Sequence, residues 1–100
     1  MELLKITINC RQNRRSELFR TCQSITEQTR LETGCMQSQV IRDSDDENVI
    51  LLQQKWKLWA DLNSYFSSDH FRALLGAMKL FGKSYEILIN GISQEMPAKG

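Results

Sequence analysis

The run Val49-Ile50-Leu51-Leu52 constrains the fold of this chain more than any other stretch. It opens a segment, Val49 to Trp56, that reads as a β-strand bounded by a polar turn cluster. Successive side chains of a strand point to opposite faces, so four apolar residues in a row need cover on both sides of a sheet. Helices in a chain of 100 residues can cover only one of those sides. The other side needs a partner, and a second copy of the chain is the simplest one.

The remaining elements follow from periodicity. Leu3 to Asn9 sets Leu4, Ile6 and Ile8 against Lys5, Thr7 and Asn9, which predicts a half-buried first strand. From Arg15 to about Thr33 the apolar positions Leu18, Cys22, Ile25 and Thr29, with Phe19 beside them, take helical spacing, and Gly34 ends the helix. Cys35 to Asp43 predicts a second strand, with Met36, Ser38 and Val40 facing away from Gln37, Gln39 and Ile41. The acidic stretch Asp43 to Asn48 has alternating carboxylates but neither the internal glycine nor the distal glutamate of a calcium loop, and is expected to be a hairpin turn. Leu58, Leu62, Tyr65 and Phe66 predict a second helix. Ser67-Ser68-Asp69 caps a third, whose apolar face is Phe71, Leu74, Leu75 and Met78. Tyr85, Ile87 and Ile89 alternate in a fourth strand after Gly82.

This order predicts an α+β fold of the ferredoxin-like, split βαββαβ kind: a four-stranded antiparallel sheet with helices on one face. Residues 1–92 are expected to form one domain and 93–100 a C-terminal tail. The bare sheet face predicts a homodimer packed through its sheet faces.

Composition removes several classes of function. Thirteen basic and 12 acidic residues leave a net charge of +1, which gives no field for nucleic acid. The four arginines between Arg11 and Arg20 have no interleaved aromatics and read as a solvated face. No apolar run approaches the ~18 residues that span a bilayer. Three scattered cysteines without a C-x-x-C pair predict neither a disulfide framework nor a metal site, and fit a cytoplasmic protein. There is also no Ser-His-Asp set, glycine-rich phosphate loop or usable carboxylate pair.

The segments Thr29-Arg30-Leu31-Glu32-Thr33-Gly34-Cys35 and Ser68-Asp69-His70-Phe71-Arg72-Ala73-Leu74, separated by an acidic turn and Trp56, resemble the antibiotic biosynthesis monooxygenase (ABM) domain family. The resemblance covers residues 3 to 90. It implies a dimeric α+β barrel and, in one branch, cofactor-independent oxidation of aromatic polyketides and quinols. The chain departs from the family pattern at Ser38, where many members have tyrosine, at Gln54, commonly glutamate, and at Tyr65, often histidine. Leu75 matches the iron-ligating histidine of the haem-degrading branch, and Ile6 falls near its helper asparagine, so the resemblance does not extend to haem.

Two functions fit the resemblance. One is a cofactor-independent monooxygenase acting on a small aromatic or quinol-like molecule in a pocket between sheet and helices. The other is a non-catalytic small-ligand-binding or stress-response homodimer. In the first, His70 is the candidate base, because imidazole exchanges protons near neutral pH, and Tyr65 is the candidate donor to a substrate oxygen. Trp56 and Phe71 would border the ring, and Gln54 and Asn90 would orient a carbonyl. Each has a plainer alternative: a helix cap for His70, core packing for Trp56, Tyr65 and Phe71. Gln54 shares a strand face with Ile50, Leu52 and Trp56, so a buried amide there needs a partner. That makes it the better marker of a pocket.

Overall fold

The computed structural model describes residues 1–94. The chain forms β1 (Glu2–Cys10), a 3₁₀ turn at Gln12–Arg14, α1 (Arg15–Thr29), β2 (Cys35–Arg42), β3 (Val49–Trp56), α2 (Trp59–Tyr65), α3 (Asp69–Phe81), β4 (Gly82–Ile89) and β5 (Ile92–Gln94). The sheet order is β2-β3-β1-β4-β5 and every pairing is antiparallel. This is the expected ferredoxin-like arrangement with a fifth strand added at one edge. The extra strand comes from Asn90 and Gly91, which both take positive φ, 51° and 83°, and turn the chain back on itself. Asn-Gly is the pair that a two-residue hairpin turn favours, since both central positions of that turn are left-handed. The tail expected from residue 93 therefore starts inside β5, and residues 95–100 lie outside the described ones.

The alternation of β1 is realised: Leu4, Ile6 and Ile8 are buried beneath the helices. In register beside them on β3 are Gln54, Leu52 and Ile50, and on β4 Ile89, Ile87 and Tyr85. α1 packs onto this layer with Leu18, Cys22, Ile25, Thr26 and Thr29, and α3 with Phe71, Leu74, Ala77 and Met78.

Two local departures have clear causes. Helix α1 stops at Thr29 rather than near Thr33, because Thr29 is its last buried position and Leu31 is 87% exposed. Gly34 (φ +82°) does adopt the left-handed conformation, in the turn that leads into β2, where a Cβ would run into the Asp61 carboxylate. In β2 a bulge between Cys35 and Gln37 breaks the alternation, so Met36 points to solvent (57% exposed) instead of sharing the buried face with Ser38.

Candidate functional site

Four of the residues singled out from the sequence meet between sheet and helices. Gln54 and Trp56, two apart on β3, project from the same face, and α2 brings Tyr65 against them. Tyr65 stacks 4.9 Å from Trp56 and lies edge-on to Phe71 at 5.3 Å. The approach of Phe71 is set by Ser68. Its hydroxyl donates to the Tyr65 carbonyl (2.6 Å) and accepts from the Phe71 amide (3.2 Å), fixing the joint between α2 and α3. Trp56, Tyr65 and Phe71 are all buried, so their own rings occupy the space in which a pocket was expected.

The polar groups here form one directed chain. The indole Nε1–H of Trp56 can only donate, and it donates to Gln54 Oε1 at 3.0 Å. That orients the amide so that Nε2–H donates to the Tyr65 hydroxyl oxygen at 3.2 Å. The phenol is also hydrogen-bonded to Thr29. Thr29 itself donates to the Ile25 carbonyl at 2.7 Å. Burial raises the Tyr65 hydroxyl pKa; the Gln54 and Thr29 bonds pull it back, and nearby Cys35 and Glu32 add to the rise. Tyr65 is therefore a proton donor at neutral pH, not a base.

His70 and Asn90 lie apart from this cluster. His70, half-buried in the first turn of α3, holds Glu32 with Nδ1 2.9 Å from the carboxylate. The carboxylate fixes the tautomer with the proton on Nδ1, which leaves Nε2 as the basic nitrogen. Asn90 is exposed at the β4–β5 turn. Its Oδ1 accepts from the Leu3 amide (2.9 Å) and its Nδ2 donates to Glu2 (3.2 Å), so it ties the turn to β1.

Sequence reasoning passed over Thr29, Thr26 and Glu32. Thr26 and Thr29 announced themselves only as polar residues on the buried stripe of α1, while Glu32 reaches His70 across 38 positions of sequence. Ser38, noted only as a departure, is buried opposite Gln54 in register, and neither its hydroxyl nor that of Thr26 has a partner among the described residues.

The cysteines are shielded rather than activated: burial raises the pKa of Cys10 and Cys35, and burial with Cys10 nearby pushes Cys22 up to about 12. Among the described residues no group of three His, Cys, Asp or Glu side chains could hold a metal ion, and no helix is long and apolar enough to cross a membrane.

The opposite face of the sheet carries a cleft of about 370 Å³, lined by Leu3, Lys5, Gln53, Lys55 and Leu88 among others. There Gln39 donates across the strands to Gln53 at 2.9 Å.

Solved structures share this fold throughout the chain. A Deinococcus radiodurans protein, provisionally titled an antibiotic biosynthesis monooxygenase, superposes with a TM-score of 0.85 at 17% identity, covering 100% of both chains. A structure titled antibiotic biosynthesis monooxygenase gives 0.81 at 15% identity over 97% of this chain and 100% of that one. A conserved protein from Methanosarcina mazei Go1 gives 0.81 at 22% identity over 88% of each. At these identities the likeness is one of fold. No curated protein matches the sequence. The family model described as antibiotic biosynthesis monooxygenase matches residues 2–76, from β1 through most of α3 and so across Gln54, Trp56, Tyr65 and His70. The chain belongs to the antibiotic biosynthesis monooxygenase (ABM) family.

Proposed function

We propose that this protein is a homodimeric, cofactor-independent monooxygenase that takes a small aromatic or quinol-like substrate between its sheet and helices, beside Gln54. The observation that carries this reading is the Gln54 amide, buried among three aromatic rings and oriented by Trp56. A flat aromatic ligand that displaces one of these packed rings would stack on the others, and a fixed amide N–H is a donor for oxygen on which negative charge develops.

In such a reaction the substrate supplies the electrons. A substrate long enough to extend from Gln54 to the first turn of α3 would give a proton, from a carbon or hydroxyl acidified by the ring, to Nε2 of His70, which Glu32 orients. The resulting anion reduces dioxygen. For an aromatic methylene, one oxygen atom becomes the ring carbonyl, and the other leaves as water with the two hydrogens of the methylene. Gln54 and Tyr65 stabilise the anion by donating to its oxygen.

Oxygen uptake with menadiol and dithranol tests the reading. Uptake above the spontaneous rate is expected, reduced about a hundredfold in His70→Ala and in Gln54→Leu. No uptake above the spontaneous rate, with ligand binding unaffected by His70→Ala, would sink the enzyme.

One observation favours the second reading, a non-catalytic ligand-binding homodimer. The groups a reaction would use already have partners, the Tyr65 hydroxyl in Gln54 and the His70 ring in Glu32. On that reading the same ligands quench Trp56 fluorescence without consuming oxygen.

The homodimer is supported by the half-buried Thr7, Leu51, Gln53 and Leu88 on the open face of the sheet, which no element of the described chain covers. Sedimentation at micromolar concentration decides it, and a monomer there ends it.

A further inference from the structure

The free edge of β2 carries a second cleft of about 370 Å³, lined by Arg30, Cys35, Met36, Gln37, Ser38 and Gln39. Ser38 sits directly opposite Gln54 in register, and both side chains are on the helix face. Side chains so placed are close neighbours, yet the Ser38 hydroxyl, 3% exposed as a residue, has no partner among the described residues. An unpaired buried hydroxyl is disfavoured, because it has given up water without replacement. Gln54 gives one N–H to Tyr65, and an amide nitrogen carries two. At the same level of the strand, Arg30 reaches over the edge, and its Nε–H donates to the Ser38 carbonyl at 2.9 Å.

The edge of the sheet thus brings together a hydroxyl donor and a cation, with an amide donor on the adjoining strand β3 opposite Ser38. None of the three brings negative charge, the Glu32 carboxylate whose field reaches Cys35 is engaged by His70, and all three donors suit an oxygen anion conjugated to a flat ring. An ammonium group would meet the guanidinium, and an apolar ligand would leave both donors unpaired.

We propose that the β2 edge is the entrance for an anionic ligand oxygen, an enolate or phenolate, held by Ser38 Oγ–H, the second Gln54 N–H and the Arg30 guanidinium. This rests on the preceding reading of the interior as a site for flat aromatic molecules. It adds the charge state recognised, the side of entry and two residues, Arg30 and Ser38, outside the Trp56–Gln54–Tyr65 chain. Arg30 and Ser38 are positioning groups for binding, so their substitution alters affinity for the anion before it alters chemistry.

The test uses two probes with the same ring system: the hydroxynaphthoquinone lawsone, an anion at neutral pH, and its methyl ether, which is neutral. Affinities are measured by calorimetry on the full chain. The wild type is expected to bind lawsone at least about tenfold more tightly than the ether. Ser38→Ala and Arg30→Gln each remove about tenfold from lawsone and leave the ether unchanged, whereas Arg30→Lys keeps most of the preference. A thermal melt accompanies each variant, and Ser38→Ala is expected to melt no lower than wild type. Equal binding of both probes, or lawsone binding untouched in both Ser38→Ala and Arg30→Gln, overturns the edge site while leaving the interior reading intact. Binding of neither probe overturns both.

Discussion

Leu4, Ile6 and Ile8 on one side of β1 are at most 2% exposed, whereas Leu3 on the other side is 47% exposed and Lys5 and Asn9 are open to water. The same contrast crosses the sheet onto β3, where Ile50, Leu52, Gln54 and Trp56 are sealed and Val49, Leu51 and Gln53 are half-covered. On the sealed side a polar atom left without a partner is costly, which is why Trp56, Gln54 and Tyr65 form a directed chain; among the described residues the Ser38 and Thr26 hydroxyls are the exceptions. On the open side a glutamine pair such as Gln39–Gln53 has water as an alternative, so its hydrogen bond contributes little to folding. Folding stability belongs to the first face, and the second is the one on which the proposed homodimer would rest.

Four experiments press on that division. The largest effect comes from Trp56→Ala, which should lower folding stability by about 3–5 kcal/mol in denaturant titrations, while Lys55→Ala, its neighbour pointing the other way, changes it by less than about 0.5 kcal/mol. Equal effects would erase the distinction.

Alkali provides the second. The Cys22 thiol titrates at about 12 in the fold and near 9.0 when exposed, so in this range the unfolded chain loses its proton first. Stability is intact below pH 9 and falls by up to about 1.4 kcal/mol per pH unit above it, and the raised Tyr65 joins in above its ordinary value of 10.0. Cys22→Ala should flatten the first part of that slope. A slope unchanged in the variant assigns the loss to groups elsewhere.

Third, Tyr65→Phe strips the buried Gln54 amide of its acceptor, for a loss of about 1–3 kcal/mol. Gln39→Leu, the matching deletion of a hydrogen bond on the open face, should stay within about 0.5 kcal/mol. The smallest effect on folding is expected from Leu51→Asp. It should leave the circular dichroism of the chain intact yet weaken self-association by more than about tenfold in sedimentation, through an unpaired charge at the interface.

The sheet and its buried face were legible in the sequence because strand alternation is a local signal, repeated in β1, β3 and β4. What was not legible depends on single residues or on distance. The bulge that turns Met36 outward leaves no trace in composition. The fifth strand did have a signal, Asn90-Gly91 between alternating apolar residues, but Asn90 was read for its amide rather than for its backbone. The same residue shows why the candidate site was only partly readable: a side chain able to orient a carbonyl is equally able to tie a turn to β1. Gln54 was recognisable because a polar residue in an apolar row demands a partner. Its partners were less so, since Tyr65 and Thr29 come from two other elements. The hydrogen bond of His70 with Glu32 joins segments that no periodicity connects.

The bond from Arg30 to the Ser38 carbonyl has one more consequence. β2 is an outer strand eight residues long, and a strand with open carbonyls and amides is a template on which another chain can add. By occupying one of those carbonyls with a bulky cation, Arg30 obstructs sideways growth of the sheet in the middle of the strand. A charged side chain at this position works against edge-to-edge pairing of strands, with or without a ligand.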